Sequence, residues 1–190
     1  VLEFTLWEHD HRWLQWSVAL IATAIAAATD LKSRRIPNLL TFPLILAGFA
    51  WAFAVGGLPA LGESTLACIF LGFPFVVLFL FAGGGAGDAK LMGALGAWLG
   101  LVGGTVVLTS VAVAGIALAI AHTVAKRRTQ VVLSNLAGIA TGLLFVALKH
   151  GRMEQVPRVE SPEAMQTIPY GVAIFAGTVI ATCGVVLWNT

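Results

Sequence analysis

Ala22-Thr-Ala-Ile-Ala-Ala-Ala-Thr-Asp-Leu-Lys-Ser-Arg-Arg-Ile-Pro-Asn38 decides the reading of this chain. An apolar run from Trp13 to Thr29 ends on a carboxylate, Asp30, and on the cations Lys32, Arg34 and Arg35. A second carboxylate, Asp88, closes the glycine-rich string Gly83-Gly84-Gly85-Ala86-Gly87 at the end of another apolar run. A carboxylate at membrane depth costs about 2.5 to 3.5 kcal/mol even on lenient insertion scales, so each is a functional-site candidate.

The rest of the chain supports a membrane setting. Of 190 residues, 58% are hydrophobic and 11% charged, against roughly 25% charged in soluble domains, and the mean hydropathy is +0.92. The composition predicts an all-α, polytopic membrane bundle forming a single membrane-embedded domain over residues 1–190. The first run is read as a retained span, because Glu3, Glu8 and Asp10 outweigh Arg12 on its N-terminal flank and a secretory leader needs a basic flank there. A net charge of +2 with the cations gathered at span ends argues against nucleic acid. Cys68 and Cys183 lie inside apolar runs with no Cys or His spaced to complete a zinc site, so they read as packing residues. His122 reads as interfacial. Nothing in the sequence demands a metal or an organic cofactor.

Spans of about 20 apolar residues are expected at Trp13 to Thr29, Leu39 to Val55, Ser64 to Phe81, Ala89 to Leu101, Gly104 to Val124 and Pro169 to Trp188, giving six transmembrane helices. The fourth is short and is expected to tilt or to break at Gly100. A further run, Val131 to Leu148, has cations at both ends, in Lys126, Arg127 and Arg128 and in Lys149 and Arg152. It is therefore expected to be re-entrant or interfacial, with a seventh crossing as the alternative. Residues 151–167, with three glutamates and two prolines, read as a soluble loop. The Gly56 to Glu63 connection carries no cation. By the positive-inside rule the N-terminus is outside, and both aspartates lie at the cytoplasmic face.

Two carboxylates brought together at one face would share a proton over a wide pH range. The ionised member could then take a proton from water while the protonated member polarises a peptide carbonyl. Gly85 and Gly87 leave room for an extended substrate backbone to approach. Each residue also has a plainer reading. Asp88 could be the N-cap of the helix that follows, and Asp30 could pair with Lys32 or Arg34. Lys90 could snorkel to headgroups or tune the aspartates by its charge, and Pro37-Asn38 could simply end a loop and start a helix.

Asp30-Leu-Lys-Ser-Arg-Arg-Ile-Pro-Asn38 with Leu39-Leu-Thr-Phe-Pro43 resembles the first aspartate motif of the type IV prepilin peptidases. Gly85-Ala-Gly-Asp-Ala-Lys-Leu91 resembles their GxGD box, and Ile168-Pro-Tyr-Gly-Val-Ala173 is similar to the segment that opens their last membrane helix. The resemblance implies an inner-membrane aspartic endopeptidase that removes a short basic leader from prepilin-like precursors on the cytoplasmic side, with membrane lipid as its other partner. It implies Asp30 and Asp88 as the catalytic pair and Gly85, Gly87, Lys90, Pro169, Tyr170 and Gly171 as residues that shape the site. The chain shows neither the N-terminal domain nor the paired cysteines of the bifunctional members, so N-methylation is not expected. Its compact form is similar to the members serving Flp-type, tight-adherence pili and also to the archaeal preflagellin peptidases, the short chain favouring the former. The alternatives are a GxGD protease cutting within a substrate's membrane helix and a small proton-coupled transporter.

Overall fold

The computed structural model describes residues 12–82, 85–125 and 170–188. Every element among them is helical: α1 (Arg12–Ser33), α2 (Asn38–Ala82), α3 (Ala86–Ala125) and α4 (Tyr170–Trp188). The expectations for residues 131–148 and 151–167, and for Pro169, lie outside the described residues. The chain divides into two compact units, one of residues 1–116 and 169–190 and one of residues 117–168. The packing contacts described below belong to the first.

Helix α1 is built from Ala, Leu and Ile, and it buries Gln15, Trp16, Ala19, Ala22, Thr23, Ala26, Ala27 and Asp30. That spacing of three and four is one face of a helix, and Asp30 is its last member. The sequence register therefore turns Asp30 inward, toward the bundle, while Ile21, Ile25 and Leu31 face outward. Buried Thr23 satisfies its hydroxyl within the helix, donating to the Ala19 carbonyl at 2.8 Å. The helix ends at Arg34, whose φ of 52° places a non-glycine residue in the left-handed region. Its N–H donates to the Asp30 carbonyl at 2.8 Å, the bond that closes a helix when the following residue turns left-handed.

Among the described residues, three helices are long and apolar enough to cross a membrane: Arg12–Ser33, Asn38–Leu80 and Ala86–Leu118. At 1.5 Å per residue the 45 residues of α2 would reach roughly twice the thickness of a hydrocarbon core if straight. They are not straight. Gly57 breaks the helix with φ 64° and ψ −151°, and residues on both sides of it reach Ala97. A Cβ at Gly48 would lie 3.0 Å from the Ala97 Cβ, and Ser64 Oγ donates to the Ala97 carbonyl at 2.7 Å. The second run of α2 thus returns alongside the first. The connection expected over Gly56 to Glu63 contracts to a single left-handed glycine. Pro59, just beyond it, falls in the first turn of the next run, where its missing N–H has no partner to lose.

Helix α3 breaks at Gly100 (φ 68°, ψ −172°), the glycine at which the sequence predicts a break. Before it, residues 89–97 run antiparallel to the second run of α2, with Gly72 against Ala89, Gly93 against Cys68 and Gly96 against Ala67. Beyond it, Gly104 packs on Leu71, so the chain has reversed again. The break interrupts the backbone ladder, and the pair Glu63-Ser64 supplies partners at that point. Leu101 N–H donates to Glu63 Oε1 at 3.4 Å, and the Ala97 carbonyl accepts from Ser64. Replacing Ser64 by Ala should lower the thermal unfolding midpoint in detergent, through a cost of about 1 kcal/mol, and Ser64→Thr should recover it. An unchanged midpoint for Ser64→Ala would show that the carbonyl finds another partner.

The core gathers Trp16, Leu71, Phe75, Leu91, Met92, Leu95, Trp98, Leu99, Val107, Val111 and Ile174. Trp98 stacks on Trp51 at 6.2 Å between centroids and donates its indole N–H to the Leu44 carbonyl at 2.9 Å. Helix α4 packs along α1. It also approaches the second run of α3 closely, since a Cβ at Gly177 would lie 2.5 Å from the Val111 Cα. Small residues at such crossings let helices meet by van der Waals contact, the chief attraction between helices in lipid.

Candidate active site

Asp30 ends the buried stripe of α1 and is 8% exposed. Its Oδ2 accepts the Gly171 N–H at 2.8 Å. Gly171 is in the first turn of α4, where N–H groups have no partner within the helix and carry the positive end of its dipole. The N-terminus of the last helix is thus delivered to the first aspartate. Asp30 spends this oxygen on a backbone amide, and Lys32 and Arg34 are exposed, so the ion pair considered from the sequence is not what holds it. A Cβ on residue 171 would meet the Asp30 Cβ and Oδ2 at 3.0 Å.

Asp88 is half-buried in the first turn of α3. The helix begins at Ala86, so Asp88 is its third residue and not the N-cap the sequence allowed; its N–H donates to the Gly85 carbonyl at 3.1 Å. The glycines around it fill distinct needs. A Cβ on Gly85 would lie 2.7 Å from Asp88 Oδ2, and one on Gly87 would lie 2.9 Å from the Ile36 Cβ. Asp88 is within Coulombic reach of Asp30 and of the Tyr170 phenol. Tyr170 packs edge-on against Phe75 at 5.8 Å between centroids. Its hydroxyl occupies the space beside Gly115, where a Cβ would lie 2.7 Å away.

Asp30, Asp88, Tyr170 and Gly171 therefore gather at one end of the bundle. Lys90 does not join them: its Nζ donates to Asn38 Oδ1 at 2.8 Å and lies 5.1 Å over the Phe42 ring. Pro37 opens α2 as the sequence predicts, its carbonyl accepting the Leu40 N–H at 3.0 Å. The sequence gives no sign of Phe75 or Gly115 as neighbours of the site, because each reaches it from a distant segment, and Ile36, though inside the first motif, carries no sign that it packs on Gly87. Asn38 carried a signal, as a polar residue opening an apolar run, but one equally explained by helix initiation. No group of three or more His, Cys, Asp or Glu side chains that could hold a metal ion occurs among the described residues.

Two carboxylates on separate helices, one buried and one half-buried beside glycines, thus stand in a helical protein whose long apolar helices suit a membrane. A sequence model of the type IV leader peptidase family matches residues 17–120, just over half of the chain and inclusive of both aspartates. The chain belongs to that family: it is a peptidase, a hydrolase, in a membrane protein. No curated protein matches it at a significant level, and no solved structure does. Gly171, which binds Asp30, and its neighbour Tyr170 lie outside the matched stretch.

Proposed function

We propose that the protein is an aspartic endopeptidase that removes the basic leader from type IV prepilin-like precursors at the cytoplasmic face of the inner membrane, with Asp30 and Asp88 as the catalytic pair. The observation that carries the proposal is the convergence of the two carboxylate-bearing segments, Ile36 after Asp30 packing on Gly87 before Asp88, with α4 anchoring Asp30 through Gly171. In the reaction, one ionised carboxylate takes a proton from water and the other, protonated, hydrogen-bonds the scissile carbonyl. The water oxygen adds to the carbonyl carbon. The tetrahedral intermediate collapses as the C–N bond breaks and the amine nitrogen takes up a proton, leaving a new carboxylate on the leader. Gly85 leaves its bare face to the Asp88 carboxylate and Gly87 leaves its own to Ile36, close approaches that any larger side chain would push apart.

We further infer six crossings. The breaks at Gly57 and Gly100 divide α2 and α3 into two runs each, and these four with α1 and α4 make six runs. Lys32, Arg34, Arg35 and Lys90 cluster at the aspartate end, whereas Glu63 and Leu101 meet at the other. That distribution favours a cytoplasmic site, where a precursor's leader would be presented ahead of its hydrophobic helix.

The experiment is a cleavage assay in liposomes with the purified protein and several model precursors that differ in leader sequence. Appearance of the shortened precursor is the expected result. If no precursor is cut by correctly folded protein, the aspartates have another task, and proton-coupled flux becomes the reading to measure.

A further inference from the structure

Asp88 and Lys90 are two residues apart on α3, and a helix turns about 200° over that interval, so their side chains leave opposite sides. Asp88 is within Coulombic reach of Asp30 and Tyr170. Lys90 turns to the opening of α2, where Asn38 and Phe42, one helical turn apart, receive its ammonium through a hydrogen bond and an aromatic face. Ile36, two residues before Asn38, presses on the position of Gly87. The segment that follows Asp30 is thus pinned at two points to the segment that carries Asp88. Both pins fall within the two sequence motifs, and neither is an aspartate.

From this geometry, and resting on the functional reading above, we propose that Lys90 and Asn38 form a latch that sets the separation of Asp30 from Asp88. Lys90 is then a positioning residue that acts through α2 and touches no substrate. The need for such a latch follows from how each aspartate is held. Asp30 is fixed by α4, and Asp88 by its own helix start at Gly85; no direct hydrogen bond between the two carboxylates is seen. The short connection Arg34-Arg35-Ile36-Pro37 links the end of α1 to the latched start of α2, so the latch fixes that connection against α3. A catalytic constellation works only when held to within about 0.5 Å, and misplacement by about 1 Å can cost on the order of a hundredfold in rate.

The test has two arms. In a Cys68→Ala, Cys183→Ala background carrying Asp30→Cys and Asp88→Cys, a short bifunctional thiol reagent should join the two positions. Adding Lys90→Met or Asn38→Ala should slow that reaction roughly tenfold, with the pair together no slower than either alone. In the chain with both aspartates intact, each single change should lower kcat roughly tenfold at constant KM, and Lys90→Arg, which keeps a donor, should recover most of the rate. An unchanged cross-linking rate in Lys90→Met would overturn the latch. So would a rise in KM in Lys90→Met with normal kinetics in Asn38→Ala, since Lys90 would then touch the substrate. Failure of the parent pair to cross-link would overturn the juxtaposition on which the latch rests. The cross-linking arm requires no peptidase activity, so it stands even if the assignment of function fails.

Discussion

Asp30→Asn and Asp88→Asn are each expected to abolish precursor cleavage, a loss of a thousandfold or more on the order expected for groups that act as one unit, while the protein still inserts and folds. Asn preserves the size of the side chain and keeps an oxygen, so the Gly171 N–H retains an acceptor in Asp30→Asn. What disappears is the ability to hold and move a proton. The two single variants and the double variant should therefore be equally inactive, because either loss alone leaves no couple to divide the roles of acid and base. The measurement is product formation per mole of folded protein, with folding checked by thermal unfolding in detergent. Cleavage retained in both single variants would remove the aspartates from the chemistry.

Gly171 should be the most sensitive position outside the stretch that defines the family. A methyl group there would lie 3.0 Å from the Asp30 Cβ and Oδ2, tighter than ordinary contact, and the neighbour it presses on is the carboxylate itself. Gly171→Ala should lower kcat roughly tenfold, and Gly171→Val should take cleavage to background, through displacement of Asp30 by a fraction of an ångström or more. Gly184→Ala on the same helix is the matched control, since nothing lies within 4 Å of its Cβ position, and it should behave as wild type. Equal losses at Gly171 and Gly184 would mean that α4 tolerates no added side chain for reasons of packing. Full activity in Gly171→Val would mean that α4 does not position Asp30.

These expectations differ in how far the sequence discloses them. The aspartates are legible because charge is costly at membrane depth and apolar spans isolate it. The break at Gly100 is legible because the apolar run before it is short for a full crossing and ends on a glycine. The turn at Gly57 is harder: a cation-free stretch from Gly56 to Glu63 looks like a loop, yet one left-handed glycine followed by Pro59 reverses the chain within a turn. Asp88 reads as an N-cap because Asp at the start of a helix commonly caps it. Helix α3 starts two residues earlier, at Ala86, so Asp88 lies within its first turn. The bond from Gly171 to Asp30 and that from Lys90 to Asn38 join residues 141 and 52 positions apart. No local pattern reports them, because the choice of partner is made by helix packing. The same limit hid the direction of Lys90. Its motif placed it beside the aspartate, and only the turn of the helix shows that it points the other way.

The most direct test of the central claim, that Asp30 and Asp88 hydrolyse a peptide bond at the membrane edge, is the intact mass of the products formed from one precursor in liposomes by wild type and by Asp88→Asn. The account predicts a single cut at the junction of basic leader and hydrophobic helix, made by wild type alone. A cut within the hydrophobic helix, or the same cut by Asp88→Asn, would contradict it.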